Sequence, residues 1–531
     1  MFHQLVQPVG QSLALSFLVA SLPIAVVLLL LGALRRPAWQ ASLAGLACAL
    51  VLALTVWRMP SSLAFDSIAA GAAFALWPVM WIVFNALVLY NLTVETGQFD
   101  AFRRWIVSSL PNDKRIVLVI VGFSFGCLLE GIAGFGAPIA ITTALLVALG
   151  FPALEALIVT LTFNTAPVAF GALGAPVTTL AAVTQLPASQ LGAMIGRQLP
   201  LIALILPFYV IAIHSGFRAI RGVWPVLLVA GSSFGAAQFV SSNYLGYELT
   251  DVISSLFSLV ATMALLKVWQ PKHDSRFLLE HTDPAQDAPV RVWFGWMPWL
   301  VLSALVVAWI HLKVNTVGQQ AIHWPGLDKQ IFITAYGKPY EAVWNFQPLA
   351  TGSAILFTSF LVAILARASR AQVASAFGKG LVQVRLPALT TTLIVGLAYL
   401  MNYSGIAYTL GVGVASAGLF FPLLSAFLGW LAVFLSGSDT SGNALFGNLQ
   451  VVAANRLGLD PVLMAATNSS GGVLGKMISP QNIATGTSVT DLRGREGEVL
   501  ARTFKHSVFL TLLLGLVVVA QQYLFPGMIP R

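Results

Sequence analysis

The sequence predicts an all-α polytopic membrane protein: about 12 full crossings, two of them broken helices, plus two re-entrant hairpins in an inverted repeat. Three observations carry that expectation. The composition is too apolar for a water-facing surface, apolar segments alternate with short basic loops, and two mutually similar polar stretches interrupt apolar sequence at expected lipid depth.

The 531 residues are 58% apolar and only 9% charged, with a mean hydropathy of +0.85, far outside the range of soluble domains. A β-barrel would alternate apolar and polar side chains. Runs such as Ile24 to Leu34 and Leu512 to Ala520 are instead apolar on every side and read as helices. The net charge of +9 comes from Lys and Arg scattered in short clusters between apolar segments, which signals topology rather than a nucleic-acid-binding face. Cys48 and Cys127 both lie within apolar runs, so no disulfide framework, metal site or cofactor is expected. The N-terminal Met-Phe-His-Gln-Leu-Val-Gln lacks the basic and small-residue features of a cleaved signal, and the first apolar segment is expected to be kept.

Segments near 11 to 33, 40 to 57 and 67 to 92 are long enough to cross, since about 20 residues at 1.5 Å rise cover a ~30 Å core. Arg35 and Arg36 follow the first, and Arg103, Arg104, Lys114 and Arg115 follow the third. The positive-inside rule makes both sets cytoplasmic and puts the N-terminus outside. Further helices are expected near 195 to 217, 223 to 241, 249 to 269, 293 to 313, 347 to 366, 386 to 403 and 503 to 525. The basic clusters between them (Arg218 and Arg221; Lys267, Lys272, Arg276 and Arg291; Arg367, Arg370, Lys379 and Arg385; Arg493, Arg495, Arg502 and Lys505) mark successive cytoplasmic loops, which leaves the C-terminus outside as well. Loop 270 to 292, with His273, Asp274, Asp283, Pro284 and Asp287, reads as a solvated cytoplasmic linker. Loop 314 to 345 is external, with a turn at Trp324-Pro325-Gly326.

Parity then requires residues 115 to 190 to begin inside and end outside, and residues 411 to 490 to do the reverse. At one constant offset Asn164-Thr165 meets Asn468-Ser469, Gly171 meets Gly475 and Pro176 meets Pro480; at a slightly longer one Gly131 meets Gly437 and Gly136 meets Gly442. Opposite direction with internal similarity is the signature of an inverted repeat. The expected organisation is scaffold helices at 1 to 114, repeat 1 at 115 to 190, scaffold helices at 191 to 410, repeat 2 at 411 to 490, and a C-terminal helix at 491 to 531.

Each repeat reads as a hairpin followed by a broken crossing helix. The first tip is Glu130-Gly131-Ile132-Ala133-Gly134-Phe135-Gly136, between a short arm from Arg115 to Leu129 and a return arm to Leu149. The helix that starts near Ala153 breaks at Asn164-Thr165-Ala166-Pro167, because proline removes a donor and disfavours helix at the residue before it. The second tip is Ser436 to Asn443, with a break expected at Asn468-Ser469-Ser470-Gly471-Gly472.

Backbone groups freed at membrane depth must line a cavity or be buried in protein, and half-helix N-termini suit an anion. The expected chamber is lined by Gly131, Gly134, Asn164, Thr165, Ser438, Thr440, Ser441, Asn443, Asn468 and Ser469, hydroxyls and amides that suit a substrate bearing hydroxyl and carboxylate groups. Glu130 and Asp439 are candidate proton carriers, with salt-bridged structural carboxylates as the alternative. Repeat alignment sets Glu130 against Ser436 and Asp439 against Ala133, so the two are not symmetry mates and different roles are expected. Lys476 has three readings: a partner of Asp439, a holder of the substrate carboxylate, or a snorkelling side chain. Arg197 reads as an anion-attracting residue or a helix-end anchor. His214, His311 and His506 fall at helix ends. A hydrolase built on Ser436 or Ser438 with Asp439 lacks a histidine within reach, so no catalytic residues are expected.

At these residues the chain resembles the bacterial L-lactate permeases. The matching strings are Glu130 to Gly136, Asn164 to Gly171, Gly196-Arg197-Gln198-Leu199-Pro200, Ser436 to Phe446, and Gly475-Lys476-Met477-Ile478-Ser479-Pro480-Gln481. The resemblance implies proton-coupled uptake of lactate, with glycolate as a second substrate, in the inner membrane, and it adds Gln481 to the substrate-binding candidates. The chain is more distantly similar to di- and tricarboxylate transporters with paired hairpins, often sodium-driven, which keeps sodium coupling open as the alternative.

Overall fold

Eleven helices among the described residues are long and apolar enough to cross a membrane, and a twelfth span is made by Ala153–Phe163 and Val168–Thr184, bent by 65°. The computed structural model describes residues 1–34, 36–134, 136–271, 274–279 and 292–531. Arg35, Phe135, Lys272, His273, Asp283, Pro284, Asp287 and Arg291 lie outside the described residues. The polytopic helical class is therefore what the chain adopts, with lipid-type side chains such as Leu15, Leu18 and Leu22 exposed on the outer helices. Lys114–Ile132, by contrast, is buried along its whole apolar length and sits at the centre.

That central helix is the first arm of a helical hairpin. It runs on through Ile132, with a π-helical stretch at Leu118–Phe125, and is longer than the short arm expected. Glu130 and Gly131 therefore belong to its last helical turn, and the chain reverses only after it. Gly134 (φ +55°) and Gly136 (φ +85°) take left-handed conformations there, which cost other L-residues about 1–2 kcal/mol. The return arm is Ala137–Ala148.

The second hairpin pairs Phe421–Ser436 with Asp439–Leu457. Its turn is only Gly437, left-handed at φ +70°, and Ser438, whose hydroxyl caps the following helix by accepting from the Ser441 N–H. The expected tip of Ser436 to Asn443 is thus mostly helix, because the capping serine starts one at once.

The hairpins open toward opposite ends of the bundle. At one end Arg115, beside the first hairpin, donates to the Ala219 carbonyl and stacks over Phe277, and Glu155 meets His214. At the other, Asn455 of the second hairpin donates to the Tyr336 hydroxyl, and the Asp460 N–H donates to Gln522. Residues 314 to 345 at that end carry small sheets that the sequence reading did not anticipate. Phe2–His3 pairs in parallel with Ile331–Ile333, and Gln320–His323 pairs antiparallel with Val343–Phe346.

Two further expectations need correction. The helix expected at 386 to 403 is Arg370–Ser404. Ser369 and Gln372 form a capping box that starts the helix well before the apolar run. Lys379, read as loop, lies on that helix and pairs with Glu95 at 2.5 Å. The second broken helix, moreover, does not break at Asn468 to Gly472: Pro461–Lys476 is continuous, and the interruption falls at Met477 to Ser479 before Pro480–Thr487. The glycines there serve packing instead. A Cβ on Gly471 or Gly475 would stand 2.1 Å from the carbonyl oxygens of Ala426 or Trp430, and one on Gly429 would stand 2.0 Å from that of Asn468. Small residues on both helices let the backbones meet, the usual basis of close helix association in membranes.

Candidate functional site

The first broken helix leaves its axis after Phe163, and the Thr165 hydroxyl donates back to the Thr162 carbonyl in the turn that follows. Further on, Ala172 (φ +44°), Leu173 (φ +55°) and Gly174 (φ +80°) are consecutively left-handed. Two non-glycine residues in that region are uncommon and store strain of the kind found at functional sites. Gly134 of the first tip abuts this stretch, since a Cβ there would stand 2.9 Å from the Ala172 Cβ.

The second tip reaches the same place from the other side. The Gly437 carbonyl accepts from the Asn482 amide at 3.0 Å, just past the second break. Between them lies a cavity of about 40 Å³ whose walls come from both tips and both breaks: Glu130 and Gly134, Ala172 and Pro176, Gly437 to Thr440, and Lys476, Gln481 and Asn482. Gln481 is the exposed member of that lining.

One wall is charged. The Lys476 ammonium donates to Glu130 Oε1 at 2.6 Å, with the two side chains 5% and 3% exposed, and the Asn164 amide donates to Glu130 Oε2 at 2.9 Å. Lys476 therefore pairs with Glu130 of the first hairpin, not with Asp439. Asp439 Oδ2 accepts instead from the Ser469 hydroxyl of Pro461–Lys476 at 2.5 Å and the Asn443 amide of its own helix at 3.2 Å. Asn443 also donates to the Pro176 carbonyl, and Asn468 bridges Asn443 to Gln450. Asp439 thus holds the second tip against the second broken helix, with Oδ1 unpartnered among the described residues.

Of the residues picked from sequence, Glu130, Gly134, Ser438, Asp439, Thr440, Lys476 and Gln481 line the cavity. Asn164, Asn443, Asn468 and Ser469 stand behind it as hydrogen-bond partners. Gly131, Thr165 and Ser441 are not part of its lining. Arg197 is elsewhere. It lies inside Ala188–Ser215 rather than at a helix end, where its Nε donates to Asn243 and its Nη1 to the Met528 carbonyl beside a separate, largely apolar cavity of about 600 Å³. His214 meets Glu155, His506 meets the Tyr209 hydroxyl, and His311 meets the Val307 carbonyl; none of the three lines the tip cavity. Sequence reading missed Asn482 and Pro176. The repeat offset had already marked Pro176 against Pro480, and Asn482 follows the Gly475 to Gln481 string directly.

The whole chain has close relatives. It is 42% identical to the L-lactate permease of Bacillus subtilis over 98% of this chain and 99% of that one. It is 39% identical to a glycolate permease of Escherichia coli over 99% of both. Among solved structures, the YdaH transporter of Alcanivorax borkumensis aligns over 86% of each chain at 14% identity and a TM-score of 0.47. The family described as L-lactate permease matches residues 16–525. With that match, and with relatives this similar over their full length, the chain belongs to the L-lactate permease family.

Proposed function

We propose that the protein is a secondary transporter that takes up L-lactate, together with D-lactate and glycolate, with protons across the bacterial inner membrane by alternating access. The names of the relatives support L-lactate and glycolate. The observation that carries the mechanism is the buried Lys476–Glu130 pair on a cavity walled by both hairpin tips.

A monoanionic substrate entering that cavity needs a cation, and Lys476 is the cation that lines it. Once a substrate carboxylate takes Lys476, Glu130 is left as an uncompensated buried charge, which costs about 3–5 kcal/mol. Binding a proton removes that cost. Substrate and proton therefore arrive together, and the loaded site carries the same net charge as the empty one. Neither partner alone leaves the site balanced, which is the physical content of coupling here.

The cavity's 40 Å³ is well below the roughly 150 Å³ that houses benzene, a molecule with as many heavy atoms as lactate. Admission of substrate therefore requires the tips to part. In this reading residues 115 to 190 and 411 to 490 form the transport core, with the hairpins re-entrant from opposite faces; the remaining helices are scaffold in the lipid bilayer, and both termini face outward.

The test is counterflow of labelled lactate in vesicles against a panel of hydroxy-acids across a pH series, without sodium. Lactate and glycolate should exchange, and a pH step alone should drive accumulation. A strict sodium requirement would replace the proton with sodium as the coupling ion. Absence of exchange with every 2-hydroxy acid would remove the substrate assignment.

A further inference from the structure

Asp251 opens the helix Thr250–Val268 and is 1% exposed, yet neither of its carboxyl oxygens has a hydrogen-bond partner among the described residues. It lies directly against the first hairpin: a Cβ placed on Gly131 would stand 2.7 Å from the Asp251 Cβ and 3.2 Å from the Val252 nitrogen. Gly131 is thus a point of close approach between that hairpin and this helix, one residue from Glu130. The charged and titratable groups in electrostatic reach of Asp251 are Glu130, Lys476 and Cys127, with Glu248 on the turn before it. Trp224–Val240 and Gly171–Thr184, which also pack on this helix, carry no acidic or basic side chain.

We propose that Asp251 is a proton-carrying carboxyl of the transport cycle and supplies the proton that Glu130 takes when substrate occupies Lys476. The inference rests on the transport reading above and deepens it. A structural carboxylate in an interior is paired or hydrogen-bonded, because an uncompensated buried charge is costly. Asp251 is neither, so the site accommodates the neutral acid. Its place in the first turn of a helix gives the anion partial support, so the proton can leave without stranding a bare charge. The step balances: the O–H bond on Asp251 breaks, an O–H bond forms on the Glu130 oxygen that Lys476 has left, and the Asp251 carboxylate is reprotonated from the aqueous side.

Asp251→Asn and Asp251→Glu, purified and returned to vesicles, test this. Exchange at equal pH moves no net proton, whereas accumulation on a pH step does. Asp251→Asn should slow exchange by less than about 3-fold while cutting accumulation by at least about 10-fold, and Asp251→Glu should restore accumulation. Accumulation at the wild-type level in Asp251→Asn overturns the proposal. So does loss of exchange and accumulation together, which would make Asp251 a residue of the fold or of substrate positioning. A second measurement needs no transport: the pH-difference infrared spectrum of the substrate-free protein should contain a protonated-carboxyl band that Asp251→Asn removes. An unchanged band overturns the proposal. If the parent protein itself exchanges no 2-hydroxy acid while Asp251→Asn still removes the band, the substrate reading alone is overturned.

Discussion

Lys476, the last residue of Pro461–Lys476, reaches Glu130 of the first hairpin at 2.6 Å, while Asp439 of the second hairpin is bonded to Ser469 and Asn443. The two carboxylates flank one cavity and do different things. One is held by a buried cation, and the other ties a hairpin tip to a helix. That asymmetry separates the effects expected of their variants.

Glu130→Gln and Lys476→Met each strand a buried charge and should destabilise the protein by about 3–5 kcal/mol. The double variant strands none, so it should recover most of that loss while still failing to accumulate substrate. Thermal unfolding in detergent checks the first half, and pH-driven uptake the second. If the two single losses simply added in the double variant, the pair would not be the coupled unit described above.

Asp439→Asn keeps an oxygen able to accept from Ser469 but gives up a charge-assisted bond, worth about 1.5–3 kcal/mol. Substrate affinity should weaken by about 10- to 100-fold with pH-driven accumulation retained, in contrast to Glu130→Gln. Initial-rate kinetics over a pH series separate the two. An Asp439→Asn protein whose uptake had lost its pH dependence would move the proton to Asp439.

The membrane-length helices were legible because they rest on local composition and length. So was the first break, where Pro167 follows Asn164 in a helix that bends by 65°. The second break was misplaced because Gly471 and Gly472 act as packing surfaces, and a glycine has the same letter whether it frees a backbone or admits a neighbour. The partner of Lys476 was not legible either. It depends on how two segments 346 residues apart dock, and local pattern has no access to that. Asp251 escaped notice because it stands at the edge of an apolar run, where an acidic residue reads as an ordinary first-turn charge.

The packing role of those glycines is itself testable. Gly475→Ala would press a methyl group to 2.1 Å from the Trp430 carbonyl and should lower stability by about 1–3 kcal/mol through overpacking. Gly378, exposed in the interior of Arg370–Ser404, has nothing within 4 Å of an added Cβ. Gly378→Ala should raise stability by about 0.5–1 kcal/mol. Unfolding midpoints of the two variants against the parent settle the matter, and a neutral Gly475→Ala would mean the two helices can separate at no cost.

Thr440 lines the cavity and is 3% exposed, and its hydroxyl has no protein hydrogen-bond partner among the described residues. The Ser438 hydroxyl beside it already caps the Ser441 N–H. In the proposed reading a 2-hydroxy acid held by Lys476 brings a hydroxyl next to its carboxylate, and the Thr440 hydroxyl is free to meet it. Thr440→Val keeps the shape and removes the hydroxyl, so the preference for lactate over propionate, and for glycolate over acetate, should fall by about 10-fold. Thr440→Ser should retain it. Competition of each acid against labelled lactate measures the ratio, and an unchanged preference in Thr440→Val would assign the substrate hydroxyl to another wall.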